Sequence, residues 1–182
     1  MSQALIVIPI RLASVRLPQK PLADIHGKPM ALHVWERAVA AGIAPVVVAC
    51  DSQEVKDLIE KAGGQVVMTD PDLPSGSDRV YAALTAYDPS GKYDVVVNLQ
   101  GALPNVDPQA LKAVLTPLSD STIDVATVAA QITDMSELNN PNVVKIALAH
   151  NADGSMGRAL YFSRSCIPHG DGPHYHHIGI YA

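Results

Sequence analysis

The sequence predicts an α/β protein built on a mostly parallel sheet, and three observations carry that reading. Short, branched apolar runs recur at residues 5–10, 46–50, 65–69 and 94–99, the pattern of strands buried on both faces. Stretches with helix punctuation separate them: Pro29 ahead of MALHVWERAVAAG, Gly63-Gly64 after the next segment, and Pro108 after the last run. The strict alternation of the two kinds implies right-handed βαβ units.

Taken in order, residues 5–10 form the first strand. Residues 11–22 carry no helical stripe and are broken by Pro18 and Pro21, so they read as a loop. Pro29 suits a first helical turn, and the helix after it stops at Gly42. Residues 46–50, VVVAC, make a second strand in which Cys50 is a buried free thiol. Asp51 is placed to cap the next helix, with Glu54 three residues on completing a box-like pattern. Residues 65–69 give the third strand. Pro71, Pro74 and Gly76 then punctuate a loop before a helix near 78–86. A strand at 94–99 and a helix after Pro108 follow. Residues 124–133, 143–149 and 159–163 read as strands with no long helix between them, which implies an antiparallel insertion. The chain ends on HHIGIYA, an apolar, β-prone run with nothing after it. The expectation is one domain over 1–182, with a further segment completing it at the C-terminal side.

The length of 182 residues suits a single domain with a sizeable core. With 13 Lys and Arg against 18 Asp and Glu, the net charge of −5 argues against a general nucleic-acid binder, which needs a broad basic surface. The N-terminus lacks a basic leader and its apolar run is too short for a secretory signal or membrane span. A cytoplasmic protein is expected. Cys50 and Cys166 form neither a disulfide framework nor a zinc pattern.

Within this acidic chain the first 23 residues hold Arg11, Arg16 and Lys20 and no acid. A loop at the carboxyl end of a first strand can aim such cations and the Ser14 hydroxyl at one point. Arg suits forked contacts to phosphate oxygens, and Lys acts as a mobile point charge. The P-loop pattern is absent, and solvated loop cations are the competing reading. SGSDR, residues 75–79, reads either as a ligand-binding turn or as a plain turn capped at Ser77. In HYHH, His174 and His176 share one face of a strand, but no suitably spaced cysteine or acid accompanies them, which argues against a specific zinc site.

The run R-x-x-S-x-R-L-P-x-K-P-L after the first strand strongly resembles the signature of the 3-deoxy-manno-octulosonate (Kdo) cytidylyltransferases. The resemblance continues in order through DIHGKPM, ACD, SGSDR, NLQG, NPNVVK, ALYFSR and HIGIY, so it spans essentially the whole chain. It implies transfer of CMP from CTP to the anomeric hydroxyl of Kdo for lipopolysaccharide synthesis, with magnesium as cofactor and a homodimer as the assembly. It further implies that Arg11, Ser14, Arg16 and Lys20 bind the triphosphate, with Arg11 and Lys20 acting in catalysis. Ser75, Gly76, Arg79 and Gln100 are implied around the base and ribose. Arg164 is implied as partner of the sugar carboxylate, with His177 and Tyr181 lining the sugar pocket.

One departure matters. The family pattern at NLQG continues with an aspartate that holds magnesium, and here that position is Ala102. Its methyl group cannot ligate a hard cation. Asp107, five residues on and past Pro104, is not an evident substitute. The expectation is a chain with intact nucleotide contacts, weakened metal binding and impaired transfer. Two alternatives stand beside it: a non-catalytic homologue that binds a nucleotide or partner, and a cytidylyltransferase for another acidic sugar.

Overall fold

A computed structural model describes residues 3–13 and 18–182, so Ser14 and Arg16 lie outside the described residues. The chain forms two compact units, one of residues 1–126 with 180–182, the other of residues 127–179.

The first unit is an α/β sandwich. Strands β1 (Ala4–Ile10), β4 (Val46–Cys50), β5 (Gln65–Met68) and β6 (Val95–Leu99) lie in the order β5-β4-β1-β6, all parallel. Register pairs Ile10 with Cys50 and Val7 with Asn98, which brings the carboxyl ends of β1, β4 and β6 to one edge. The last residues of β10 (Tyr175–Tyr181) add an antiparallel partner, Ile180 opposite Leu99 and Tyr181 opposite Asn98.

Strand residues alternate between faces. Leu5, Val7, Val47 and Ala49 pack with Val80 and Ala83 of α3 (Gly76–Tyr87). Ile6, Ile8, Val46 and Val48 point to the opposite face and are also buried, so the sheet is covered on both sides. Each such side chain stabilises the fold by about 1.5–3 kcal/mol on full burial. Helices α1 (Met30–Ala41) and α2 (Gln53–Lys61) complete the layers, and α4 (Pro108–Ala113) follows β6.

The expected alternation is present, with three local differences. A small hairpin, β2 (Asp24–Ile25) and β3 (Lys28–Pro29), precedes α1. Its turn residues His26 and Gly27 both have positive φ, 51° and 83°, as a tight two-residue hairpin turn requires. The cap of α2 is Ser52, whose Oγ accepts from the Val55 amide at 3.5 Å, and not Asp51. The cap of α3 is Ser75, accepting from the Asp78 amide at 3.2 Å, and not Ser77.

The second unit contains β7 (Thr127–Gln131), the four-residue α5 (Met135–Leu138), β8 (Lys145–His150), β9 (Gly157–Ser163) and the first part of β10. Strand β8 pairs antiparallel with both β9 and β10, matching the expected antiparallel insertion. No helix among the described residues is long and apolar enough to cross a membrane.

Candidate functional site

Open parallel sheets bind ligands outside the carboxyl ends of their strands, and two cavities of the first unit lie there. The smaller, about 240 Å³, is lined by Pro9 and Arg11 from the exit of β1, Ser75, Gly76 and Arg79 from the start of α3, and Gln100 after β6. The larger, about 620 Å³, is lined by Arg11, Leu12, Pro18, Gln19, Asp51 and Pro71. Arg11 borders both. The smaller cavity therefore gathers Arg11, Ser75, Gly76, Arg79 and Gln100 of the residues expected from the sequence. Lys20 starts a short 3-10 turn, Lys20–Leu22, and is not among the described residues lining either cavity.

The approach of α3 to β6 is close. A Cβ at Gly76 would lie 3.6 Å from Gln100 Nε2 and from a ring carbon of Pro9. Gln100 Nε2 donates to Asn98 Oδ1 at 3.1 Å, which leaves its carbonyl oxygen and second N–H for a ligand. The N-terminus of α3 favours negative charge. With Arg11 opposite, the cavity suits an anionic ligand that also has an amide-readable edge.

Arg79 is held differently from an exposed binding residue. Its Nη2 meets Asp51 Oδ2 at 3.2 Å, with the two side chains 3% and 6% exposed. Its Nη1 donates to Thr69 Oγ1. The other oxygen of Asp51 accepts from the Leu12 amide at 2.9 Å. Asp51, expected as a helix cap, is thus the junction between the exits of β1 and β4 and the α3 guanidinium.

In the second unit, Arg164 is exposed and its Nη1 donates to the Pro141 carbonyl at 2.7 Å. His177 Nε2 lies 2.8 Å from Thr127 Oγ1, and its ring stands edge-on to Phe162 with centroids 5.3 Å apart. Burial, and secondarily the neighbouring His176, pushes the His177 pKa down. Tyr181 falls in the first unit, where burial raises its phenol pKa. His174 Nε2 is 3.0 Å from the Pro168 carbonyl oxygen, and His176 Nδ1 is 3.6 Å from Glu137. Sequence reasoning missed Lys145, which is fully buried and donates from Nζ to the carbonyls of Asn140 and Val143, each at 2.8 Å. The signal was a lysine ending the apolar-flanked run NPNVVK.

A family model described as cytidylyltransferase matches residues 5–181. The chain belongs to the cytidylyltransferase family. The 3-deoxy-manno-octulosonate cytidylyltransferase of Paramagnetospirillum magneticum is 56% identical, covering 98% of this chain and 72% of that protein. That of Methylobacterium radiotolerans is also 56% identical, covering 100% of this chain and 73% of its own length. Among solved structures, a CMP:2-keto-3-deoxy-manno-octonic acid synthetase complexed with CTP matches with a TM-score of 0.83 at 40% identity, over 99% of this chain and 73% of that one.

Position 102 of this cytidylyltransferase chain offers no ligand to magnesium. Magnesium takes hard oxygen donors, usually carboxylates with phosphates and water. Ala102, exposed in the turn after β6, presents a methyl group. Asp107 caps α4 by accepting from the Gln109 amide at 2.9 Å. Asp78 bonds Ser75, and Asp51 is spent on Leu12 and Arg79. Among the described residues no three His, Cys, Asp or Glu gather as a metal-binding group. At position 102 the side chain present does not fit the ion.

Proposed function

We propose that this chain binds CTP and acts on Kdo, and that Ala102 impairs the transfer. In the reaction, the anomeric oxygen of Kdo bonds to the α-phosphorus of CTP while the bond to the β-phosphate oxygen breaks. CMP-Kdo and pyrophosphate result, and the hydroxyl proton leaves to solvent. The observation that carries the reading is the convergence of Arg11, Ser75, Gly76 and Gln100 on one cavity at the carboxyl ends of β1 and β6.

In this reading Arg11, with Ser14, Arg16 and Lys20, holds the triphosphate and stabilises charge moving onto the leaving pyrophosphate. Ser75, Gly76 and Gln100 surround the base and ribose, with Arg79 behind them. Arg164 partners the Kdo carboxylate, and His177 and Tyr181 contact the sugar. Magnesium is the cation we propose for the reaction, and the methyl of Ala102 supplies no ligand for it. Metal assistance of this kind is commonly worth several kcal/mol.

We also place the protein in the cytoplasm as a homodimer. Support for self-association comes from β9, where Leu160, Tyr161 and Phe162 are 60%, 65% and 41% exposed. Such a cluster of exposed large apolar side chains suits a protein interface.

Pyrophosphate release from CTP, Kdo and magnesium tests the proposal, with an Ala102→Asp chain run alongside. The Ala102 chain is expected at least about 100-fold slower, the equivalent of a few kcal/mol of barrier. Equal rates contradict the impairment. A second reading, a non-catalytic nucleotide binder, is favoured by the same exposed methyl group. It predicts CTP binding with no pyrophosphate release from either chain.

A further inference from the structure

Asp51 occupies a place that no helix cap or metal ligand explains. It follows the buried end of β4, and both of its oxygens are committed. Oδ1 accepts from the Leu12 amide at 2.9 Å, and Oδ2 meets Arg79 Nη2 at 3.2 Å. Arg79 is anchored a second time at Thr69 Oγ1, just past the end of β5. One carboxylate thereby ties the exit of β1 to the ends of β4 and β5 and to the first turn of α3. The pair is almost fully enclosed, at 3% exposure for the Arg79 side chain and 6% for Asp51. Enclosed charges are costly unless each is paired and hydrogen-bonded, and here each is.

The location gives the pair its consequence. Leu12 directly follows Arg11, the cation that borders both cavities. The Leu12 amide is fixed by Asp51, so the backbone that carries Arg11 leaves β1 in one direction. Arg79, neutralised by Asp51, contributes little net charge to the cavity it lines. The described positive charge facing a ligand there comes from Arg11.

We propose that Asp51 is a positioning residue of the nucleotide site: through the Leu12 amide it sets the path of the β1 exit and so directs Arg11 at the phosphates of a nucleoside triphosphate. This rests on the proposed CTP-binding function. The base side of the cavity, formed by Pro9, Ser75, Gly76 and Gln100, makes no use of the Leu12 amide. Loss of Asp51 therefore acts on phosphate recognition and leaves nucleoside recognition in place.

The test compares dissociation constants for CTP, by calorimetry, and for cytidine, by NMR titration, in the full chain and in Asp51→Ala and Asp51→Asn. Asparagine keeps an oxygen for the Leu12 amide and alanine does not. Both substitutions unmask the Arg79 charge alike, so the preference for CTP over cytidine is expected to be at least about fivefold lower in Asp51→Ala than in Asp51→Asn, as the loss of one hydrogen bond dictates. An equal preference in the two variants overturns the proposal. If Asp51→Ala does not fold, Asp51→Ala/Arg79→Met, which strands no buried charge, is read against Asp51→Asn/Arg79→Met for the same difference. If the unsubstituted chain binds neither compound, the CTP-binding function itself fails. If it binds CTP and the two variants do not differ in preference, only the role of Asp51 fails.

Discussion

Gly101 lies so close to Pro9 that a Cβ at position 101 would sit 2.8 Å from the Pro9 carbonyl oxygen and 2.8 Å from Ile10 Cγ1. Hydrogen as the side chain lets the exit of β6 approach the exit of β1, and this places Gln100 on the cavity wall. Gly101→Ala must push one of these backbones aside, and overpacking of this kind costs about 1–3 kcal/mol. Urea unfolding is expected to show that loss, together with weaker CTP binding. Unchanged stability and affinity contradict the close approach.

Lys145 holds the turn at 140–143 from inside, through two carbonyl contacts at 2.8 Å. Lys145→Met preserves most of the volume but removes the charged donor from both oxygens, while the Asn140 carbonyl keeps the Val143 amide at 3.1 Å. A destabilisation of about 1–3 kcal/mol is expected from the loss of two hydrogen bonds to a charged donor. The measurement is the urea midpoint, and an unchanged midpoint contradicts the role.

The two thiols differ in environment. Cys50 is buried and Cys166 exposed, both free. Burial pushes the Cys50 thiol up, so it resists forming the reactive thiolate. A thiol reagent such as dithionitrobenzoate is expected to titrate Cys166 in the folded chain and Cys50 only after unfolding. Immediate reaction of both contradicts the burial.

His177 gives a pH dependence with a definite sign. Its folded-state pKa lies below the ordinary value of 6.5, first through burial and then through His176. The unfolded chain therefore takes up the proton more readily. The contribution of His177 to stability is complete above the ordinary pKa and is lost as pH falls from there through the lowered folded-state value. Unfolding free energy is expected to drop between about pH 7.5 and about pH 5, and to drop less in His177→Gln. Equal slopes in the two chains contradict this.

The framework of the fold was legible because buried parallel strands announce themselves as branched apolar runs. All four runs at 5–10, 46–50, 65–69 and 94–99 became neighbouring parallel strands. Local capping was not legible at Asp51 and Ser52, since either side chain can cap a helix. A partner 28 residues away, Arg79, decided the matter by taking Asp51. At residues 75–79 the same ambiguity between two serines fell to Ser75. Arg11, Ser75, Gly76 and Gln100 were found through motif resemblance, and their meeting at one cavity depends on register, which spacing does not encode. The burial of Lys145 was invisible because its partners are backbone carbonyls.

The most direct measurement is a calorimetric titration of CTP into this chain and into Ala102→Asp, each with and without magnesium. Expected is CTP binding by both, shifted less than about threefold by magnesium in the Ala102 chain and tightened at least about tenfold in Ala102→Asp, where a carboxylate is supplied. Failure of both chains to bind CTP, or an identical response to magnesium, contradicts a nucleotide site that lacks its metal ligand at position 102.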